Sequence, residues 1–156
     1  MPLERRPVTR DHLKALFKLK VSNAQQMFVA PNEVTLAQQA YEPGGYVWGL
    51  WRDDTPVGLI AMVHPHEYAD PEPGDDHDAA YIWRLMIGAA HQGRGYGKAA
   101  LVEAEVQARA WGLPRLNLSF VEAPGSAEPF YTKYGFTRTG RVVSGEVEMS
   151  LEIASK

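Results

Sequence analysis

The segment Gln92-Gly93-Arg94-Gly95-Tyr96-Gly97-Lys98 has the residue types and spacing of an anion site, lying between an apolar run that ends near Gly88 and a helical pattern that opens near Gly95. Glycines let backbone N–H groups approach a bulky anion, and a helix N-terminus adds unpaired donors and partial positive charge. The chemistry is phosphate binding. Spacing separates three ways of doing it. A dinucleotide fingerprint, GxGxxG, starts well at Gly93-Arg94-Gly95 but meets Lys98 where its third glycine belongs. A nucleotide loop, GxxxxGK followed by Ser or Thr, meets Gln92 in place of its first glycine, and after Lys98 stands Ala99, which cannot bind magnesium. The pattern QxxGxG, formed by Gln92, Gly95 and Gly97, is left.

Composition narrows the setting. A chain of 156 residues with 45% hydrophobic content suits one globular domain over 1–156, with a single core. Its net charge of −3 gives no general attraction for nucleic acid or anionic lipid, and a cationic partner fits better. The absence of cysteine removes a thiol nucleophile, a cysteine zinc site and disulfides together. His64, His66 and Glu67 form too sparse a cluster for a metal, so none is expected. No apolar run approaches the roughly 18 residues needed to span a bilayer, and Met1 to Arg6 has no signal-like apolar stretch behind it. A soluble cytoplasmic protein is expected.

The elements that must position the glycine segment follow from periodicity. Leu3 to Val8 predicts a strand, and Thr9 caps a helix through Val21 with Leu13, Leu16 and Phe17 at helical spacing. Asn32 or Thr35 caps a second helix over Leu36 to Tyr41, ended by Pro43-Gly44-Gly45. Strands over Tyr46 to Arg52 and Val57 to His64 form a hairpin joined by Asp53-Asp54-Thr55-Pro56. The loop from Asp70 to Asp78 holds five carboxylates and no positive charge, and predicts a solvated segment. Tyr81 to Ile87 reads as a central strand interrupted by Arg84, which needs a partner if buried. A helix from Gly97 to Trp111 carries an apolar stripe of Ala99, Val102, Val106 and Ala110, with Gly112 as its stop. Leu116 to Phe120 is a strand, Ala127 to Tyr134 a short helix, and Phe136 to Val143 with Glu146 to Ile153 a hairpin turning at Ser144-Gly145.

The QxxGxG pattern at a strand-to-helix junction, followed by Phe130-Tyr131-Thr132-Lys133-Tyr134-Gly135-Phe136 in the form FYxxxGF, resembles the GCN5-related N-acetyltransferases over nearly the whole chain. The resemblance implies an α/β (α+β) fold, with a mixed, mostly antiparallel sheet of about seven strands flanked by four helices. The chain is most similar to the bacterial spermine/spermidine type through Phe28-Val29-Ala30-Pro31-Asn32-Glu33, Trp83-Arg84-Leu85-Met86-Ile87, and Thr139-Gly140 with Gly145-Glu146. One position departs: relatives place an asparagine on the pantetheine arm where this chain has Pro124. Proline has no side-chain donor, so any such contact must come from backbone or water.

Carried onto these residues, the resemblance implies that acetyl-CoA is the cosubstrate, with the pyrophosphate on the backbone of Gln92, Gly93, Arg94, Gly95, Tyr96, Gly97 and Lys98. The pantetheine then lies along Leu85, Met86 and Ile87 like an added strand. A small-molecule amine, polyamine-like, attacks the thioester directly; the alternatives are a protein or antibiotic amine, or a non-catalytic acyl-CoA sensor. Tyr131 is the implied acid for the departing thiolate, with Tyr134 as its rival. For the amine, Glu33 is the candidate carboxylate, and Glu122 the second. The acidic loop would raise the local concentration of a cationic acceptor. The C-terminal hairpin offers an edge through which a homodimer could form.

Overall fold

The computed structural model describes residues 2–154. Seven strands form one sheet in the order β1-β2-β3-β4-β5-β7-β6. In chain order they are β1 Glu4–Pro7, β2 Gly45–Arg52, β3 Thr55–Val63, β4 Ala79–Ile87, β5 Arg115–Phe120, β6 Thr137–Val143 and β7 Glu146–Glu152. Among the described residues four α-helices accompany them: α1 Leu13–Lys18, α2 Asn32–Gln39, α3 Tyr96–Ala110 and α4 Glu128–Tyr134. Every neighbouring pair is antiparallel except β4 with β5. This is the mixed α/β architecture that the resemblance implies.

Alternation along the strands sends Ile60, Met62, Ala80, Ile82, Leu116, Leu118 and Met149 into one buried cluster with α3. The opposite face carries a smaller cluster of Leu16, Leu59 and Met86 under α1 and α2. On α3 the buried face is Ala100, Leu101, Ala104 and Ala108, whereas Val102 and Val106 point outward, 47% and 45% exposed. The expected stripe is therefore displaced by about one position. Alanines at the contact let the helix lie close to the sheet, and that close packing outweighs the preference of two valines for burial.

The first two helices also differ from expectation. A 3-10 turn, Arg10–His12, precedes α1, and the helix stops at Lys18 because Leu19 turns to extended backbone. The Lys20 carbonyl then accepts a hydrogen bond from the N–H of Ala89 at 2.8 Å. α2 starts at Asn32 rather than Leu36, with Pro31 as its N-cap. Buried Asn32 donates through Nδ2 to the Leu16 carbonyl at 2.8 Å, which ties α2 to α1. Both adjustments bring the start of α2 and the end of α1 towards the C-terminal end of β4.

Two irregularities in β4 shape everything that follows. Its parallel ladder with β5 runs only from Ala79↔Arg115 to Ile82↔Leu118, and beyond that the two strands have no pairing. At the same place its register with β3 slips: Met62 faces Ile82 and Ala61 faces Arg84, leaving Trp83 as the extra residue. Such a bulge bends the strand and re-aims its side chains. The sheet therefore opens into a V between β4 and β5.

Candidate active site

At the end of β4 the chain enters a 3-10 turn, Ala89–His91, and then the glycine segment. Gly93 and Gly95 have φ of 76° and 84°, the left-handed region that glycine enters without strain. Nothing lies within 4 Å of a Cβ placed on either, so their cradle faces open space. Gly95 is the N-cap of α3, and the first hydrogen bond of that helix is Ala99 N–H to the Gly95 carbonyl at 3.1 Å. Among the described residues, the successive backbone N–H groups from Gly93 through Lys98 donate to no protein acceptor. A run of free donors at the positive end of a helix fits a pyrophosphate. Arg94 and Lys98 are exposed beside it.

Side chains around the loop fix its shape rather than reach outward. The Gln92 Nε2 donates to the Ile87 carbonyl at 2.9 Å, and Gln92 and Gln25 exchange amide hydrogen bonds at 2.9 and 3.1 Å. This explains glutamine at the head of the motif: one amide holds the loop against β4 and against the segment leading to α2. Tyr96 is buried, its hydroxyl accepting from Arg52 at 3.2 Å. Gly97 lies under Phe130, whose ring edge would be 3.1 Å from an added Cβ. Leu85 and Ile87 pack into the α3 core, Met86 faces Leu16, and their strand edge towards β5 is unpaired.

Across the V lies α4. The Tyr131 ring packs against Phe136 with centroids 5.8 Å apart, near edge-on, and against Phe130 at 5.4 Å. Its hydroxyl has no hydrogen-bond partner among the described residues. Burial, and then the nearby Glu146 carboxylate, push its pKa up to about 12. The Tyr134 hydroxyl is instead bonded to the Glu105 carboxylate on α3. Of the two tyrosines, Tyr131 is the one whose hydroxyl is uncommitted. The position at Pro124 lies in a turn closed by Ser126 N–H to the Ala123 carbonyl at 3.0 Å, with Gly125 at φ 84°. Phe28 reaches the space beside Gly125 from the opposite bank.

A cavity of about 420 Å³ opens from the V on the α1/α2 face of the sheet. The bulge directs both Trp83 and Arg84 into it, beside Tyr81, Asn117 and Ser119. Its carboxylates are Asp70, Glu72, Asp75, Asp76, Glu146 and Glu148. The acidic loop is thus part of a wall and not a merely solvated segment. Two arginines from distant strands hold it: Arg115 grips Asp76 through two bonds at 2.6 and 3.0 Å, and Arg141 bridges Asp75 and buried Glu148 at 3.1 and 3.3 Å. The Arg115 contact holds the Asp76 carboxyl below its usual range. Asp70, Glu72 and Glu146 have no ion-pair partner among the described residues.

Arg84 stacks on the Trp83 ring at 4.7 Å and donates to the Trp83 carbonyl and, at 3.4 Å, to Gln38. No carboxylate pairs with it among the described residues, and burial lowers its pKa. Glu33 sits in the first turn of α2, where Lys20 donates to both its oxygens at 3.0 and 3.1 Å. Glu122 is bound to Arg138. Neither lines the cavity. The carboxylate that does stand between cavity and V is Glu146, half-buried at the start of β7, where Ser119 Oγ donates to its Oε1 at 3.1 Å. Alternation along β7 was its readable signal: Val147 and Met149 face the core, which sends Glu146 and Glu148 to the other face.

A split sheet with a donor-lined loop at one bank and a tyrosine at the other defines a coenzyme A-dependent acyl transferase, and the comparisons agree. The profile of the Acetyltransferase (GNAT) family matches residues 13–136, and the chain belongs to that family. It is an acetyl-CoA-dependent N-acetyltransferase by class. Its fold is similar to a Bacillus subtilis acetyltransferase solved in complex with CoA (TM-score 0.66, 15% identity, 98% of this chain and 99% of that one). It is also similar to the PaiA N-acetyltransferase of Thermoplasma acidophilum in complex with coenzyme A (0.64, 18%, 97% and 99%). The GNAT domain of S. lividans PAT aligns with a TM-score of 0.73 at 18% identity, over 96% of this chain and 90% of that domain. A search of curated protein sequences finds no match. Among the described residues no helix is long and apolar enough to cross a membrane, and no group of three metal-ligating side chains occurs.

Proposed function

We propose that the protein transfers the acetyl group of acetyl-CoA to a primary amine of a small polycationic molecule of the polyamine type. The observation that carries this reading is the charge of the cavity: among the described residues Asp70, Glu72 and Glu146 on its wall have no ion-pair partner, and Arg84 is the arginine that lines it, near enough to Glu146 to feel its charge. Such a wall concentrates an ammonium-bearing acceptor and disfavours an acidic one. Separation matters too. Glu146 lies at the V, where the thioester must arrive, while Asp70 and Glu72 belong to the outer loop, so an acceptor with two or more ammonium groups can engage both ends. The sequence resemblance to spermine/spermidine-type enzymes supports the same acceptor class.

In this reading the N–H groups of Gly93 to Lys98 hold the pyrophosphate, and the free edge of Leu85 to Ile87 receives the pantetheine as a strand would. Tyr131, with its pKa near 12, stays protonated at neutral pH and gives its proton to the departing thiolate. Thiol release from acetyl-CoA, measured with putrescine, spermidine, spermine, lysine, peptide N-termini and aminoglycosides, tests the proposal. The expected order places spermidine and spermine first. A preference for peptides or aminoglycosides would replace the acceptor class, and coenzyme binding without turnover on any amine would remove the enzymatic reading.

A further inference from the structure

Direct attack needs a neutral nitrogen, yet the acceptor favoured above arrives as an ammonium, and a place for its proton must exist within the cavity. Glu146 has the position for it. It lines the cavity, it stands at the V rather than on the outer loop, and no cation neutralises it among the described residues. One oxygen, Oε1, is oriented by Ser119 at 3.1 Å, and among the described residues Oε2 has no hydrogen-bond partner. The groups facing it are Tyr81 and Arg84 on β4, Ser119 on β5, Glu148 on its own strand and Tyr131 on α4. Of these, Glu148 is already held by Arg141 and Thr139. Tyr81, raised to about 12 mainly by burial, and Tyr131 both stay neutral at physiological pH. Arg84 is close enough to feel the charge of Glu146 but is bonded to a backbone carbonyl and Gln38 instead.

From this geometry, and resting on the amine-acetyltransferase reading, we infer that Glu146 is the catalytic residue that binds the reacting ammonium and accepts its proton. The ammonium N–H bond breaks, and the proton moves to Oε2. Two charged groups become two neutral ones. The nitrogen lone pair then forms the bond to the acetyl carbon. As the tetrahedral intermediate collapses, the C–S bond breaks, Tyr131 protonates the thiolate, and the remaining surplus proton on nitrogen returns to the Tyr131 oxygen through water. The net proton leaves from Glu146 to solvent through the cavity mouth. Glu33, paired with Lys20, is not among the residues that line the cavity.

The test is Glu146→Gln with spermidine and saturating acetyl-CoA over pH 6 to 10. General-base loss predicts a fall in kcat/KM for the amine of about 100-fold or more at pH 7. Coenzyme A affinity should stay within about twofold, because Glu146 does not touch the donor loop. The signature a structural role would not give is the pH profile. The variant should gain about tenfold per pH unit as free amine becomes available, while the unmodified protein levels off. Glu146→Asp, which keeps a carboxylate, should retain the levelled profile at a lower rate, and it serves if the glutamine variant folds poorly. A glutamine variant within threefold of the parent and with the same profile overturns the inference, as does a sloping profile for the aspartate variant. A parent protein inactive on every amine would instead overturn the acceptor reading, so the two failures are distinguishable.

Discussion

Gly95→Ala separates backbone strain from ligand binding, because the protein supplies its own control. Gly95 and Gly112 stand at opposite ends of α3 with φ of 84° and 73°, and an added Cβ meets nothing within 4 Å at either place. Holding alanine in this left-handed region costs about 1–2 kcal/mol. Reduced freedom of the unfolded chain returns about 0.4–1 kcal/mol of that. Each substitution is therefore expected to cost about 1 kcal/mol, a fall in Tm of about 2–4 °C for a chain of this size. The two variants must differ in coenzyme A binding. At Gly95 the open space is where the pyrophosphate would sit, so the methyl group displaces ligand; at Gly112 it meets only solvent. Calorimetric titration with coenzyme A should show Kd raised at least about tenfold for Gly95→Ala, about 1.4 kcal/mol, and unchanged for Gly112→Ala. Equal affinities in the two variants, with equal Tm losses, would refute the assignment of Gly93 to Lys98 as the anion cradle.

Tyr131→Phe leaves the packing with Phe136 intact and removes a hydroxyl that has no partner among the described residues, so Tm should stay within about 2 °C while kcat falls about 100-fold and the KM for acetyl-CoA changes little. Because Tyr131 is held near pH 12, no alkaline loss of activity below pH 10 should trace to it, which a pH–rate profile of the two proteins checks. Asp76→Asn should cost about 1 kcal/mol at pH 7 by urea unfolding. The folded carboxyl is held below its usual range, so its contribution is complete above the unfolded pKa of about 4 and disappears as pH falls through the lower folded value, and the gap between variant and parent should close in that acid window. For a polycationic acceptor, kcat/KM should fall steeply with added salt while the KM for acetyl-CoA responds less, and Asp70→Asn with Glu72→Gln should flatten that dependence.

What could be read from sequence was whatever a single local requirement dictates. The glycine segment announced itself because its backbone conformation at Gly93 and Gly95 favours glycine, and the two hairpin turns because Asp53 and Ser144-Gly145 adopt positive φ. Two things escaped local reading. The partners of the acidic loop, Arg115 and Arg141, lie 39 and 66 residues from their carboxylates, so the segment looked unpaired. The bulge that brings Trp83 and Arg84 into one cavity depends on a slip against Ala61 and Met62, which the apolar run from Tyr81 to Ile87 does not reveal. For Glu146 the sequence showed its place beside the last turn and, by alternation along the strand, the face it shares with Glu148, but not what lies across from that face. Its importance emerges once β7 is seen lying beside β5, with Phe120 opposite Val147 at the open V.

That placement of β7 has a consequence for how the protein is made. The last of the seven described strands is not an edge; it is inserted between β5 and β6. As the polypeptide leaves the ribosome, β5 and β6 emerge first and have no direct contact in the sheet, so this half of the sheet cannot close until residues Glu146–Glu152 are free. The same late event brings Glu148 to Arg141 and Glu146 to Ser119. Assembly of the cavity wall thus waits until β7 has been made. A chain truncated before Glu146 would lose both the interior strand and the wall it completes, and would leave two unsatisfied strand edges exposed to other nascent chains.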